Sequence, residues 1–361
     1  MLSLNNKISL RQLQVLLILD IFGTGVVILP RRITSLANQD GWILIVFATI
    51  FALFSAFLIS KLAKMFPNDS FVSYNQKVFG KVIAFLITIS FVLKILINGA
   101  MEIRLFGEIV NSTLLFNTPF YVVSASLILT SAYISAKGYE SRARIAEILI
   151  FVVFIPLFFV FSIAATDSDF TNLAPVLTTP FPTLLYGGFL STIAFSALPF
   201  GLIAFPYLNN HKKAFKAASV AIIVVAVFML GVSAITIAKF GAIETQRQMW
   251  PVLEMMDIID IPGSFIERQD ALVMSIWIIS VFCIINASLF FSSILLRDCF
   301  KKGSHGFYIL ISAIIIFSTA FIPKNIIAVF QIMDFMFITF GVAFLFIIPL
   351  LLVIVGKVRG Y

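Results

Sequence analysis

Phe22-Gly23-Thr24-Gly25 lies near the middle of the first apolar segment, which runs from about Leu10 to Ile33. At about 1.5 Å per residue that segment makes a helix of roughly 36 Å, long enough to cross a bilayer. A helix meant only to span would carry leucine at its centre. Glycine instead costs helix stability and releases backbone groups to other partners. Inside a membrane, loosened backbone is tolerated only where it lines protein or water. The reading is a broken helix that forms half of a small-molecule site, a device common among transporters.

The composition around this stretch agrees. The 361 residues are 61% hydrophobic and 12% charged, with mean hydropathy +1.09, which no soluble domain of this length sustains. The chain reads as a polytopic, all-α membrane protein forming a single domain over 1–361. No small-residue cleavage site follows a short apolar core, so no cleavable signal peptide is expected. The formal charge of +8 is scattered between membrane segments and reads as topology rather than nucleic-acid binding. Cys283 and Cys299 fall at opposite ends of one helix, too far apart to bridge each other.

Ten segments are apolar enough to span, near 11–34, 41–63, 81–111, 119–136, 143–166, 183–207, 214–238, 271–296, 306–322 and 326–355. With the N-terminus inside, 17 lysines and arginines fall on inner connectors and six on outer ones, which places both termini in the cytoplasm. The stretch from Lys64 to Phe79 mixes basic and aromatic residues, as the inner membrane interface requires. The longer 239–270 connector is acidic and is expected to hold short helices on the outer face.

The sixth span mirrors the first. It runs Ala194-Phe195-Ser196-Ala197-Leu198-Pro199-Phe200-Gly201, and Pro199 has no N–H to offer the preceding turn. Pro206 repeats the effect. Interruptions at matching depth, five spans apart, are the pattern of a five-plus-five inverted repeat with helices 1 and 6 broken. Small residues more often permit close helix packing than bind ligands, so each break alone weighs little; the pair weighs more. Half-helix N–H groups attract a carboxylate and freed carbonyls an ammonium, so an amino-acid-like ligand fits.

The third span is unusually polar: Lys94, Asn98 and Glu102 recur every four residues as one drifting stripe, and Arg104 and Glu108 are spaced to pair. Asp20 and Asp334 are further intramembrane acids that could couple to binding, and Asn286 and Ser288 offer side-chain oxygens or interhelical hydrogen bonds. His211 and His305 sit among lysines, so no metal site is expected. There is no nucleophile–base pair, phosphate loop or nucleic-acid module, so neither enzymatic activity nor a cofactor is expected.

An ordered set of motifs resembles one family nearly end to end. Ile21-Phe22-Gly23-Thr24-Gly25 is followed by Leu29-Pro30, and Gln39-Asp40-Gly41-Trp42 opens the second span. Phe66-Pro67 closes that span, and Gly138-Tyr139-Glu140 with Ala143-Arg144 precedes the fifth. The most specific is Phe265-Ile266-Glu267-Arg268-Gln269-Asp270 with Ile276-Trp277. Together they resemble the spore-germination permeases, the membrane B subunits of nutrient germinant receptors, within the amino acid–polyamine–organocation superfamily.

The resemblance implies ten helices in a five-plus-five repeat, with the first and sixth unwound around a nutrient, often an amino acid. It implies an assembly with an A subunit and a lipoprotein C subunit in the inner membrane of the spore. By position it implies ligand contacts from Gly23, Thr24 and Gly25, from Ser196, Ala197 and Leu198, and from Asn98, Met101 and Asn286. There are departures: Gly41 stands where alanine is common, and the sixth-span break has one glycine and a proline. The fifth span lacks the lysine that couples transport in some of the superfamily. An amino-acid transporter, or a subunit conducting water or ions, is the competing reading.

Overall fold

Ser9 caps the first helix: its hydroxyl accepts from the Gln12 amide at 3.2 Å while the Gln12 side chain takes the Ser9 N–H at 2.9 Å. This helix, α1 (Leu10–Phe22), ends at Gly23, whose φ of −14° and ψ of −143° leave the helical range. The chain resumes as α2 (Gly25–Ala37). The computed structural model describes residues 7–23, 25–258 and 269–361; Thr24 and most of the Phe265–Asp270 motif lie outside them.

The remaining helices follow the apolar pattern closely. They are α3 (Gly41–Met65), the short α4 (Phe71–Phe79), α5 (Lys81–Thr113), α6 (Phe120–Ala136) and α7 (Tyr139–Thr166). After a 3₁₀ turn come α8 (Phe181–Ser191), the one-turn α9 (Gly201–Ala204), α10 (Ala214–Arg247) and α11 (Pro251–Ile258). The chain closes with α12 (Gln269–Phe300), α13 (His305–Ala320), α14 (Ile326–Met336) and α15 (Ile348–Val358). Among the described residues the single β contact is the isolated bridge of Ile8 to Leu208.

Six helical stretches are long and apolar enough to cross a membrane, or seven when Phe181–Phe195 and Leu198–Ala204, bent by 52°, count as one. The chain is an all-α, multi-pass membrane protein. A count of ten further separates α2 from α3, joins it to α1, and adds α6 and α13, at 17 and 16 residues.

Enclosure sorts these helices. In the most apolar window of α12, 78% of residues are buried, against 28% for α7, so α12 runs through the centre and α7 faces lipid. Close approach is bought with small residues. A Cβ on Gly41 would stand 2.9 Å from the carbonyl carbon of Ile33, so the turn between α2 and α3 closes only on glycine. Gly241, at φ 72°, turns α10 sharply near its C-terminal end, and beyond it the buried face of α11 packs against α2 and α12. The 239–258 part of the acidic connector therefore caps the bundle rather than hanging free.

Asp40 fastens the loop between α7 and α8. Its carboxylate accepts the Leu177 N–H at 2.7 Å, the Thr179 N–H at 2.8 Å and the Thr178 hydroxyl at 3.0 Å. Burial alone would raise this carboxyl's pKa, but the hydrogen bonds outweigh it and hold it below the usual range.

Between α14 and α15 the last span widens into two five-residue π turns, Phe337–Gly341 and Ala343–Ile347. There the ring of Phe344 stacks on Phe91 with centroids 4.2 Å apart, and the Ser55 hydroxyl donates to the Leu345 carbonyl at 2.8 Å.

Arg142 differs from its sequence reading. Its position just before the fifth span makes it one of the 17 inner-connector charges, yet it is buried inside the bundle, where it pairs with Asp20 on α1. Removing it leaves the charge asymmetry between the two faces intact.

Candidate functional site

Proline decides where backbone is available. Pro199 cannot donate, and the stretch around it is 3₁₀, so the carbonyl it deprives is that of Ser196, three residues back. The Phe200 N–H goes to Ala197 instead, at 3.0 Å. The orphaned Ser196 carbonyl accepts from Lys94 Nζ on α5 at 2.8 Å, and that ammonium also faces the Phe200 ring at 5.9 Å. Pro206 in the next 3₁₀ turn also has no N–H to give, and the Leu202 carbonyl in the turn before it accepts the Tyr74 hydroxyl at 3.0 Å. The Ser196 and Leu202 carbonyls thus each take a donor sent from another helix.

A cleft opens beside the first of these, with about 1020 Å³ of empty space counting its mouth. Small-molecule sites are common between bundle helices. Gly23 and Gly25 form one wall, Ser196 and Ala197 the facing one, and Lys94, Asn98 and Glu102 run along a third. Asp20 reaches the cleft from α1 while Arg142 holds its carboxylate. Farther along α2, Arg32 lines the cleft and is paired with Asp334 of α14. The two breaks therefore border a single space.

Other expected residues point elsewhere. Thr24 lies outside the described residues. Leu198, two 3₁₀ steps from Ser196, turns into a separate apolar cavity with Leu13 and Ile59. Met101 is buried and does not reach the cleft: the stripe drifts about 40° every four residues, so by Glu102 the cleft-facing side has moved past it. Asn286 turns away on α12, giving its Nδ2 to the Ser131 carbonyl at 2.7 Å and the Ser135 hydroxyl at 2.9 Å. The cleft face of α12 carries Ile284 and Ser288, one turn apart. Ile193, Ala194, Phe330, Met333, Phe337 and Gly341 also line it and were not expected. Their signal is weak, because apolar residues in a membrane helix look alike on its lipid and cavity faces.

Comparison with known proteins now bears on this site. The family model of spore germination proteins (Spore_permease) matches residues 7–329, most of the chain. The chain belongs to that family. Among its relatives, spore germination protein YndE of Bacillus subtilis (strain 168) is 27% identical over 304 residues, covering 84% of each chain. Spore germination protein KB of the same organism is 28% identical over 303 residues, covering 82% of this chain and 79% of the relative. Spore germination protein GerLB of Bacillus cereus is 26% identical over 312 residues, covering 85% and 83%. The family match spans both breaks and the charged stripe, while Phe330, Met333, Phe337 and Gly341 of the cleft lining lie beyond it.

Proposed function

We propose that this spore germination protein is the nutrient-sensing membrane subunit of a germinant receptor. A small nutrient, an amino acid above all, binds in the cleft between the two breaks, and its arrival shifts the first and sixth spans. Partner subunits, an A subunit and a lipoprotein C subunit, take up that shift. The chain sits in the inner spore membrane with ten spans in a five-plus-five repeat and both termini in the cytoplasm. The observation that carries the reading is the pairing of Gly23 and Gly25 with Ser196 and Ala197 around one cleft, with a buried cation on a released carbonyl beside it. Released backbone supplies hydrogen bonds without supplying a transport route, and a bound nutrient need only change the balance between two helix arrangements.

Filling the cleft tests this. Ala194→Trp on the sixth-span wall should move the nutrient dose response of germination to higher concentration by about tenfold or more, with receptor assembly unchanged. An unchanged dose response means the nutrient binds elsewhere. Concentrative, gradient-driven uptake of a labelled amino acid by vesicles holding this chain alone would replace the receptor reading with a transporter.

A further inference from the structure

The charges that line the cleft are not equally available. Asp20 is engaged by Arg142, and Arg32 by Asp334. Lys94 is different. It is 2% exposed, and its ammonium rests on the neutral Ser196 carbonyl and the Phe200 ring; among the described residues no carboxylate lies within ion-pair distance. A cation at this depth normally finds an anion. Two of its three N–H donors remain after the Ser196 bond, and Ala197, whose methyl leaves room, is the residue next to that carbonyl.

We propose that Lys94 is the group that recognises the carboxylate of the bound nutrient, and that it competes with the nutrient's own ammonium for the Ser196 carbonyl. The carboxylate draws Lys94 off Ser196, and the ligand's ammonium takes the carbonyl that Lys94 gives up. Charges and acceptors balance only when one molecule carries both groups a few ångströms apart. The cleft therefore selects α-amino acids as zwitterions. An amine alone must displace Lys94 and leave two cations together; a carboxylic acid alone leaves the Ser196 carbonyl with no donor. Each fault costs affinity, because a buried charge or acceptor without its partner is expensive. The same exchange loosens the tie between α5 and the sixth-span bend. This inference rests on the cleft being the nutrient site.

The full chain in lipid nanodiscs supplies the test. The probes are the twenty standard amino acids and, for each that raises the melting temperature, the amine lacking its carboxylate and the acid lacking its amino group. Wild type should bind the amino acid about 10- to 100-fold more tightly than either half. Lys94→Met should reverse the order, losing the amino acid by a similar factor and binding the simple amine more tightly than wild type does. Lys94→Arg, which keeps the cation, should keep the wild-type order. A merely structural lysine would weaken all three probes together.

If Lys94→Met keeps the wild-type preference, the inference fails while the nutrient cleft stands. Should that variant fail to fold, wild type binding the amine as tightly as the amino acid overturns it equally. No amino acid binding to wild type removes both the inference and the nutrient reading beneath it.

Discussion

At the scale of the residue, the buried pair of Asp20 and Arg142 places the largest energies at stake. Both side chains are almost wholly enclosed, and Arg142 also donates to the Cys283 carbonyl at 3.3 Å. Removing one partner strands the other in a medium that solvates it poorly. Arg142→Met should cost about 3–5 kcal/mol, read as a large fall in melting temperature in detergent. Adding Asp20→Asn to it should recover a good part of the loss; equal melting temperatures for the single and double variants would mean the pair is not the cause. Gly41 offers a smaller test of packing. Here a methyl group would press on Ile33 backbone, which has no rotamer to escape into. Gly41→Ala should cost about 1–3 kcal/mol in the same assay.

At the scale of the element, the sixth span shows what the sequence makes legible. Glycine and proline mark where helices open, since their effect is on the backbone and needs no neighbour to act. Ser196 and Ala197 were readable for that reason. Which carbonyl is released was not: Pro199 points four residues back in an α-helix and three back in a 3₁₀ turn, and sequence does not choose between them. Faces were harder still. Asn286 and Ser288 are two residues apart and so stand on opposite sides of α12, and only packing decides which side meets the cleft. Pro199→Ala returns an N–H to this turn, where it competes with Lys94 for Ser196. The 52° bend should lessen, seen as a longer separation between spin labels at Phe181 and Asn209. An unchanged separation would mean tertiary packing alone sets the bend.

The α7–α8 loop held by Asp40 is a second element with its own test. Its carboxyl pKa is lower in the folded chain than in the unfolded one, so the clamp contributes fully above the ordinary carboxylate range. That contribution is lost as pH falls through the lowered folded value, below about 4. Protection of the Leu177 and Thr179 amides from hydrogen exchange should fall with pH in that window. Asp40→Asn should lack the protection at every pH.

At the scale of the whole molecule, hydropathy carried most of the architecture, and the excess of lysine and arginine between alternate spans bears on orientation. Both are bulk properties that survive without knowledge of contacts. Arg142 escaped that reading because its role depends on a partner more than a hundred residues away. Orientation is open to direct measurement. With Cys283 and Cys299 replaced, a cysteine at Lys302 or Tyr361 should be shielded from an impermeant maleimide in intact cells, and one at Ile322, which is 69% exposed, should react. The reverse pattern would invert the topology.

The wide turns of the last span bear on how this chain tolerates change in length. Elsewhere in the bundle, losing one residue rotates all that follows by about 100° and scrambles the packed face. A π turn already holds one residue more than an α turn. A single deletion between Phe337 and Ile347 converts a wide turn to an ordinary one, and Asp334 stays opposite Arg32 while α15 keeps its facing. Gaps between related sequences should therefore collect in this short window, deep in the membrane, where insertions and deletions are otherwise least expected.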